Sequence, residues 1–270
     1  MSLPQPPSTP ELAAKASALL ALHQAAQPLV LPNAWDVPSA RAVAAAGFPA
    51  VATSSRAVGD SIGEPDNDSS DPRLIFNDLA RIAAGVVVPV TADLQAGLRL
   101  DPDDLVGYAL HAGIAGCNLE DTDHHGPAVL VAAELQATYI AAVRAAADAR
   151  GVHLVINARI DAFIRKAGTD AEQLAETLRR GRLYLAAGAD CVYPIGLADP
   201  EVIAQLVAEL PGPINIIARR GGLTVAQLAV LGVRRISMGA GIHQLVMADL
   251  GARLARLAAG DSLDAAWPAG

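Results

Sequence analysis

Aromatic residues are scarce, at 3% of the 270 residues. A chain so poor in flat rings has little with which to stack bases. Its net charge of -8 also lacks the basic excess that a phosphate backbone requires. Both absences argue against a nucleic-acid partner. There are only two cysteines, Cys117 and Cys191, far apart and inside expected strands. No CxxC or Cys/His spacing suggests structural zinc. The two thiols read as reduced, buried small hydrophobes of a cytoplasmic protein. No apolar run approaches the ~20 residues of a membrane helix. The opening MSLPQPPSTP lacks the charged start and apolar run of a signal peptide. No GxGxxG follows the first apolar run, which removes the usual signature of a doubly wound dinucleotide fold.

What is present is abundant aliphatic sequence, 52% hydrophobic, enough for a large core. The stretch 86–97, VVVPVTADLQAG, sets the pattern. A valine-rich run predicts a strand covered on both faces, as in parallel sheets. A carboxylate, Asp93, closes it. Seven comparable runs are expected at 28–33, 50–54, 115–119, 153–158, 190–194, 214–218 and 235–238. Helical stretches separate them, and one further helix, with Thr9 as N-cap and Pro10 in its first turn, precedes them all. Residues 55–71 read as a long polar loop, a candidate lid. Residues 261–270 read as a loosely ordered tail. Eight strands alternating with eight helices, without a linker, predict one (β/α)8 TIM barrel domain.

In such barrels the chemistry sits at the C-terminal ends of the strands. There this sequence places Asn33 and Asp36, Thr53, Ser54, Ser55 and Arg56, Asp93 and Gln95, Glu120 and Asp121, Asn157, Arg159 and Asp161, Asn215 and Arg219, and Ser237. Asp93 and Glu120 end adjacent strands. They read either as ligands of one hard cation, Mg²⁺ by the usual oxygen chemistry, or as helix caps and arginine partners. Arg159 offers a planar fork to a carboxylate or phosphonate; a salt bridge with Asp161 or Glu120 is the competing reading. The hydroxyls of residues 53–55 form either an anion cradle or a polar turn. His124 and His125 read as an acid/base or as a solvated loop pair. Gly239, Ala240 and Gly241 read as a phosphate-binding helix start or a turn.

Taken in order, the segments LPNAWDVPSA, AVATSSRAVGDSIGEPD, VPVTADLQAG, GCNLEDT, VINARIDA, GADCVYP and NIIARRGGLTVAQLAVLGVRRISMG resemble the isocitrate lyase / phosphoenolpyruvate mutase superfamily over nearly the whole chain. The resemblance implies a barrel whose eighth helix is swapped between subunits of a homo-dimer or homo-tetramer. It implies Mg²⁺, and small 2-oxo or 2-hydroxy acids as substrates, with bond cleavage next to an enolate. It assigns Asp93 and Glu120 to the metal and Thr53, Ser54 and Ser55 to the substrate anion. Arg159 becomes the substrate arginine, and Asp66 the acidic residue at the site edge. Trp35 and Asn215 join the substrate-binding set, and His124 is a candidate acid/base.

The departures narrow the branch. Gln95 stands where a second carboxylate is common. The loop after Glu120, DTDHHGP, carries neither the cysteine of the isocitrate and methylisocitrate lyases nor the lysine of the mutases. YPIG replaces a Glu or His near Ile195, unless Tyr193 substitutes. The expectation is Mg²⁺-dependent C–C cleavage, lyase or hydrolase, of a small dicarboxylate. The alternatives are P–C chemistry (phosphonomutase or phosphonopyruvate hydrolase) and a catalytically degenerate, metabolite-binding barrel.

Overall fold

The computed structural model describes residues 3–124 and 126–267. In chain order the elements are α1 (Thr9–Gln24), β1 (Leu29–Leu31), β2 (Asn33–Ala34), α2 (Val37–Ala45), β3 (Val51–Thr53), α3 (Ser55–Ile62), α4 (Pro72–Ala84), β4 (Val90–Asp93), α5 (Pro102–His111), β5 (Gly116–Glu120), β6 (Thr122–Asp123), β7 (Val129–Leu130), α6 (Ala133–Ala149), β8 (Val155–Ile160), α7 (Asp170–Ala186), β9 (Cys191–Pro194), α8 (Pro200–Glu209), β10 (Asn215–Ile217), α9 (Val225–Val230), β11 (Arg235–Ser237), α10 (Gly241–Ala258) and α11 (Leu263–Ala266).

Parallel pairing runs β2-β3-β4-β5-β8-β9 and, separately, β1-β11-β10. Two junctions close the ring. Val192 of β9 bridges to Ile214 beside β10, and β1 runs into β2 through Pro32, which has no N–H to give the ladder. Asn33 staples that break: its Nδ2 donates to Thr53 O at 2.7 Å, and its Oδ1 accepts from Met238 N at 2.8 Å. The expected first strand is thus one barrel position built from two short pieces. Asp36, read as a rim group, is spent locally; it caps α2 by accepting from Ser39 N at 2.7 Å.

Most of the apolar core lies between the strands and the surrounding helices. A second cluster, with Leu12, Ala16 and Leu19 of α1 against Leu29, Leu31, Ala52 and Val155, fills the N-terminal mouth of the barrel. Gly116 permits that plug, because a Cβ there would lie 2.8 Å from Leu19 Cδ2 and from Val155 O. Burying a leucine such as Leu19 contributes about 2–5 kcal/mol by the cost of its truncation.

Several expectations are corrected. The strand in 86–97 begins only at Val90; Val87 is 88% exposed, because Pro89 ends the approach loop and pairing starts after it. The stretch 55–71 is not all loop: its first half is α3, whose Gly63 C-cap takes a left-handed φ of 77°. Ser8, not Thr9, is the N-cap of α1. The fifth apolar run starts at Val155 rather than His153 and extends through Arg159 to Ile160. The tail carries α11, and Trp267 lies under Arg253, 5.7 Å from its ring centroid. Cys117 and Cys191 are free and fully buried, which pushes both thiols up to about 12. No helix among the described residues is long and apolar enough to cross a membrane.

Candidate active site

Side chains alternate along a strand with period two. The register sets Glu120 opposite Arg159, Asn118 opposite Asn157 and Asp93 opposite Asn118. Thr91 and Asp93, Asn118 and Glu120, and Asn157, Arg159 and Asp161 therefore line one face, the barrel interior. Asn157 Nδ2 donates to Asn118 Oδ1 at 2.8 Å. The strands read as uniformly apolar thus carry a polar inner ladder whose top rung is the site.

At that rung Arg159 is ion-paired with Glu120 Oε2 through Nη1. It also grips Asp161, Nε to Oδ1 at 2.7 Å and Nη2 to Oδ2 at 3.0 Å. The other Glu120 oxygen is paired with His124 Nε2. Of the two open readings of Arg159, the salt bridge is the one in place, with Glu120 and Asp161 at once. Burial pushes the Glu120 carboxyl up, against the pull of Arg159 and His124. The hydrogen bond to Glu120 holds His124 above its ordinary range. Burial opposes the Arg159 charge, but Glu120, Asp161 and Asp93 together outweigh it and keep the guanidinium protonated. His125 lies outside the described residues.

Asp93 ends β4 next to the loop after β3. Its N–H donates to Thr53 Oγ1 at 3.2 Å, and its Oδ2 accepts from Ser55 Oγ at 2.9 Å and Ser55 N at 3.2 Å. Its Oδ1 is buried and has no hydrogen-bond partner among the described residues. Ser54 is the N-cap of α3 and is buried with Thr53. Beside Asp93, Thr53, Ser55, Gln95 and Leu98 bound a space of about 10 Å³, near the lower limit for one water-sized species.

Loop 63–71 stands closed over this space. Gln95 Nε2 donates to Asp66 Oδ1 at 2.8 Å, and Leu98 N donates to Asp68 Oδ1 at 2.7 Å. Burial, then the neighbouring Asp93 charge, pushes the Asp66 carboxyl up. Two substrate-binding candidates stand apart from the carboxylates. Trp35 packs edge-on against His243 at 4.9 Å. Asn215 opens β10, fully buried, 3.4 Å from Ser237 Oγ.

The rim residue Asp121 was named in the sequence, but its partners were missed. Asp121, the residue after Glu120, faces the other way and is buried. Its Oδ1 accepts from Asp161 N at 2.9 Å, and its Oδ2 accepts from Arg180 Nη1 at 2.9 Å and Tyr184 Oη at 2.8 Å. The i, i+4 spacing of Glu176, Arg180 and Tyr184 on α7 was the available signal. Below the site Arg235 lies fully inside the barrel, without a carboxylate partner among the described residues. Its Nη2 donates to Asn118 Oδ1 at 3.1 Å, and its Nη1 lies 3.3 Å from His23 Nε2. His23 continues the buried face of α1 after Leu12, Ala16 and Leu19.

Among the described residues, no three His, Cys, Asp or Glu side chains are grouped to hold a metal. The donor set nonetheless suits a hard cation that keeps most of its waters. Asp93 Oδ1 is an orphan carboxylate oxygen, while Glu120 would have to release His124 or Arg159 to contribute.

Residues 19–258 match the Phosphoenolpyruvate phosphomutase family. The chain belongs to that family, whose wider superfamily comprises lyases and mutases. An uncharacterized protein of Mycobacterium tuberculosis is 36% identical over 81% of this chain and 80% of its own. The "Probable 2-methylisocitrate lyase 2" of Corynebacterium glutamicum is 27% identical over 68% of this chain and 60% of its own. A Burkholderia cenocepacia protein with the provisional name phosphonomutase is 40% identical, covers 89% of this chain and 98% of its own, and superposes with a TM-score of 0.83.

Proposed function

We propose that the chain is a Mg²⁺-dependent lyase or hydrolase that cleaves a C–C bond of a small 2-oxo or 2-hydroxy dicarboxylate. The observation that carries this is the unpartnered, buried Oδ1 of Asp93 at a strand end, beside the Glu120–Arg159 pair. Asp93, with Glu120, would hold the ion. When bound, Mg²⁺ supplies positive charge opposite the oxygen on which negative charge develops.

The remaining work falls to the chain. Arg159 and the hydroxyls of Thr53, Ser54 and Ser55 bind and orient the anionic end of the substrate. Asp66, whose carboxyl is pushed up by burial, suits a general base. His124, whose imidazolium the hydrogen bond to Glu120 favours, suits a general acid. Loop 63–71 excludes water once substrate is in place. Trp35 and Asn215 complete the substrate-binding set.

One feature of this chain supports a homo-dimer or homo-tetramer with α10 swapped onto a partner's barrel. Leu245, Val246, Met247, Leu250 and Leu254 of α10 are exposed, and among its described residues only His243 is buried. Two reduced, buried thiols fit a cytoplasmic location. A second chemical reading, P–C cleavage, is favoured by the name of the 40% identical Burkholderia relative. The absence of lysine between Glu120 and Asp161 opposes it.

The test is calorimetric titration with oxalate, an enolpyruvate mimic, in Mg²⁺ and again in EDTA. Binding that needs Mg²⁺ and is lost in Asp93→Ala is expected. No binding under either condition overturns the reading in favour of a degenerate barrel. Phosphonopyruvate competing better than oxalate shifts it to P–C chemistry.

A further inference from the structure

The candidate site is acidic. Asp66, Asp93, Glu120 and Asp161 converge on one arginine, and Arg159 already gives Nη1 to Glu120 and Nε and Nη2 to Asp161. A dicarboxylate has two anionic ends. The metal and Arg159 can serve one; the other needs further positive charge, since like charges repel.

Two cations stand ready on the same face of the barrel. Arg219 and Arg220 follow β10 after Ala218, both exposed, with no ion pair or hydrogen bond of their side chains among the described residues. The ladder still holds the chain there, with Ala218 N donating to Ser237 O at 2.7 Å. Asn215 and Ile217 share one side of β10, where Asn215 meets Ser237, and Ile217 borders the same cavity as Arg219 and Arg220. Arg219 also acts electrostatically on the buried Tyr193 phenol, as do Arg159 and Asp93. The two arginines share an open cavity of about 780 Å³ with Ile217, Met238 and Ile242. Apolar walls with a cationic pair suit an acid whose second carboxylate sits at the end of a short aliphatic segment.

We infer that Arg219 and Arg220 form a distal anion subsite that selects substrates carrying a second acidic group. This rests on the enolate-site reading of Asp93, Glu120 and Arg159. A guanidinium fork binds a carboxylate more strongly than a point charge does. An unpaired cation pair on a chain of net charge -8 also draws anions to the rim.

The experiment measures Mg²⁺-dependent binding of oxalate, lactate and malate by calorimetry, in wild-type protein, Arg219→Gln, Arg220→Gln and the double variant. Malate and lactate share the 2-hydroxy acid end and differ at the distal carboxylate. Both arginines are exposed, so an unchanged unfolding midpoint is expected of each variant. Malate should bind wild type more tightly than lactate does. The double variant should lose about tenfold or more for malate, the scale of one charge-assisted hydrogen bond, with oxalate and lactate within about twofold. Oxalate binding together with an unchanged malate affinity overturns this inference alone. Wild-type protein that binds no oxalate overturns the enolate-site reading, and this inference with it.

Discussion

Gln95 donates from Nε2 to Asp66 Oδ1 at 2.8 Å, so the neutral residue at the position of a common second carboxylate is tied to the loop above the site. A carboxylate in that place would repel Asp66, whereas an amide latches it. Gln95 holds this position at a left-handed φ of 53°, with its Oε1 buried and without a hydrogen-bond partner among the described residues.

Gln95→Ala should therefore loosen the loop rather than the fold. Removing a hydrogen bond to a carboxylate costs about 1.5–3 kcal/mol. Amide exchange in residues 63–71 should quicken accordingly, with the global unfolding midpoint little moved. Unchanged exchange there would show that the latch holds nothing.

His23 predicts a pH dependence. Burial, then the Arg235 charge, lowers its pKa to about 4. Its Nδ1 donates to Leu19 O at 2.8 Å, which leaves Nε2 to accept from Arg235. The unfolded chain, with a histidine near 6.5, binds the proton that the folded chain refuses. Stability is thus complete above about pH 6.5 and falls as pH drops toward 4. Linkage puts the loss at roughly 2–3 kcal/mol by pH 4.5. Urea unfolding at pH 7.5 and 4.5 should show that loss in wild type and less of it in His23→Gln. Equal losses in both proteins count against it.

Asp121→Ala should destabilise strongly. It would strand Arg180 and Tyr184 in the interior and free the Asp161 N–H. Breaking a buried pair on one side costs about 3–5 kcal/mol. Denaturant unfolding of the purified variant measures this, and a change below about 1 kcal/mol would contradict the network's role.

The proposed swap of α10 has its own test. Leu250→Glu with Leu254→Glu places two charges on the exposed apolar face of α10. Light scattering coupled to gel filtration should report a smaller particle than wild type. A wild-type mass that already equals one chain removes the oligomer reading altogether.

The sequence by itself determined the βα rhythm. Hydrophobic period and helix-start residues such as Asp71–Pro72 and Asp199–Pro200 are local properties, and the elements they announce are in place. It also marked Asp93, Glu120 and Arg159, because a charge at the end of an apolar run has few purposes. It misplaced what depends on neighbours. Val87 has the chemistry of a strand residue, but pairing began only after Pro89. Residues 55–62 look polar enough for a loop, yet form α3, which buries Ala57, Val58 and Gly59. Only the tertiary structure decided partners. Strand register set Glu120 opposite Arg159. Barrel closure brought His23 to Arg235 across 212 residues of chain. Pairwise contacts between distant segments depend on where the whole ring closes, and no local pattern of side chains encodes that.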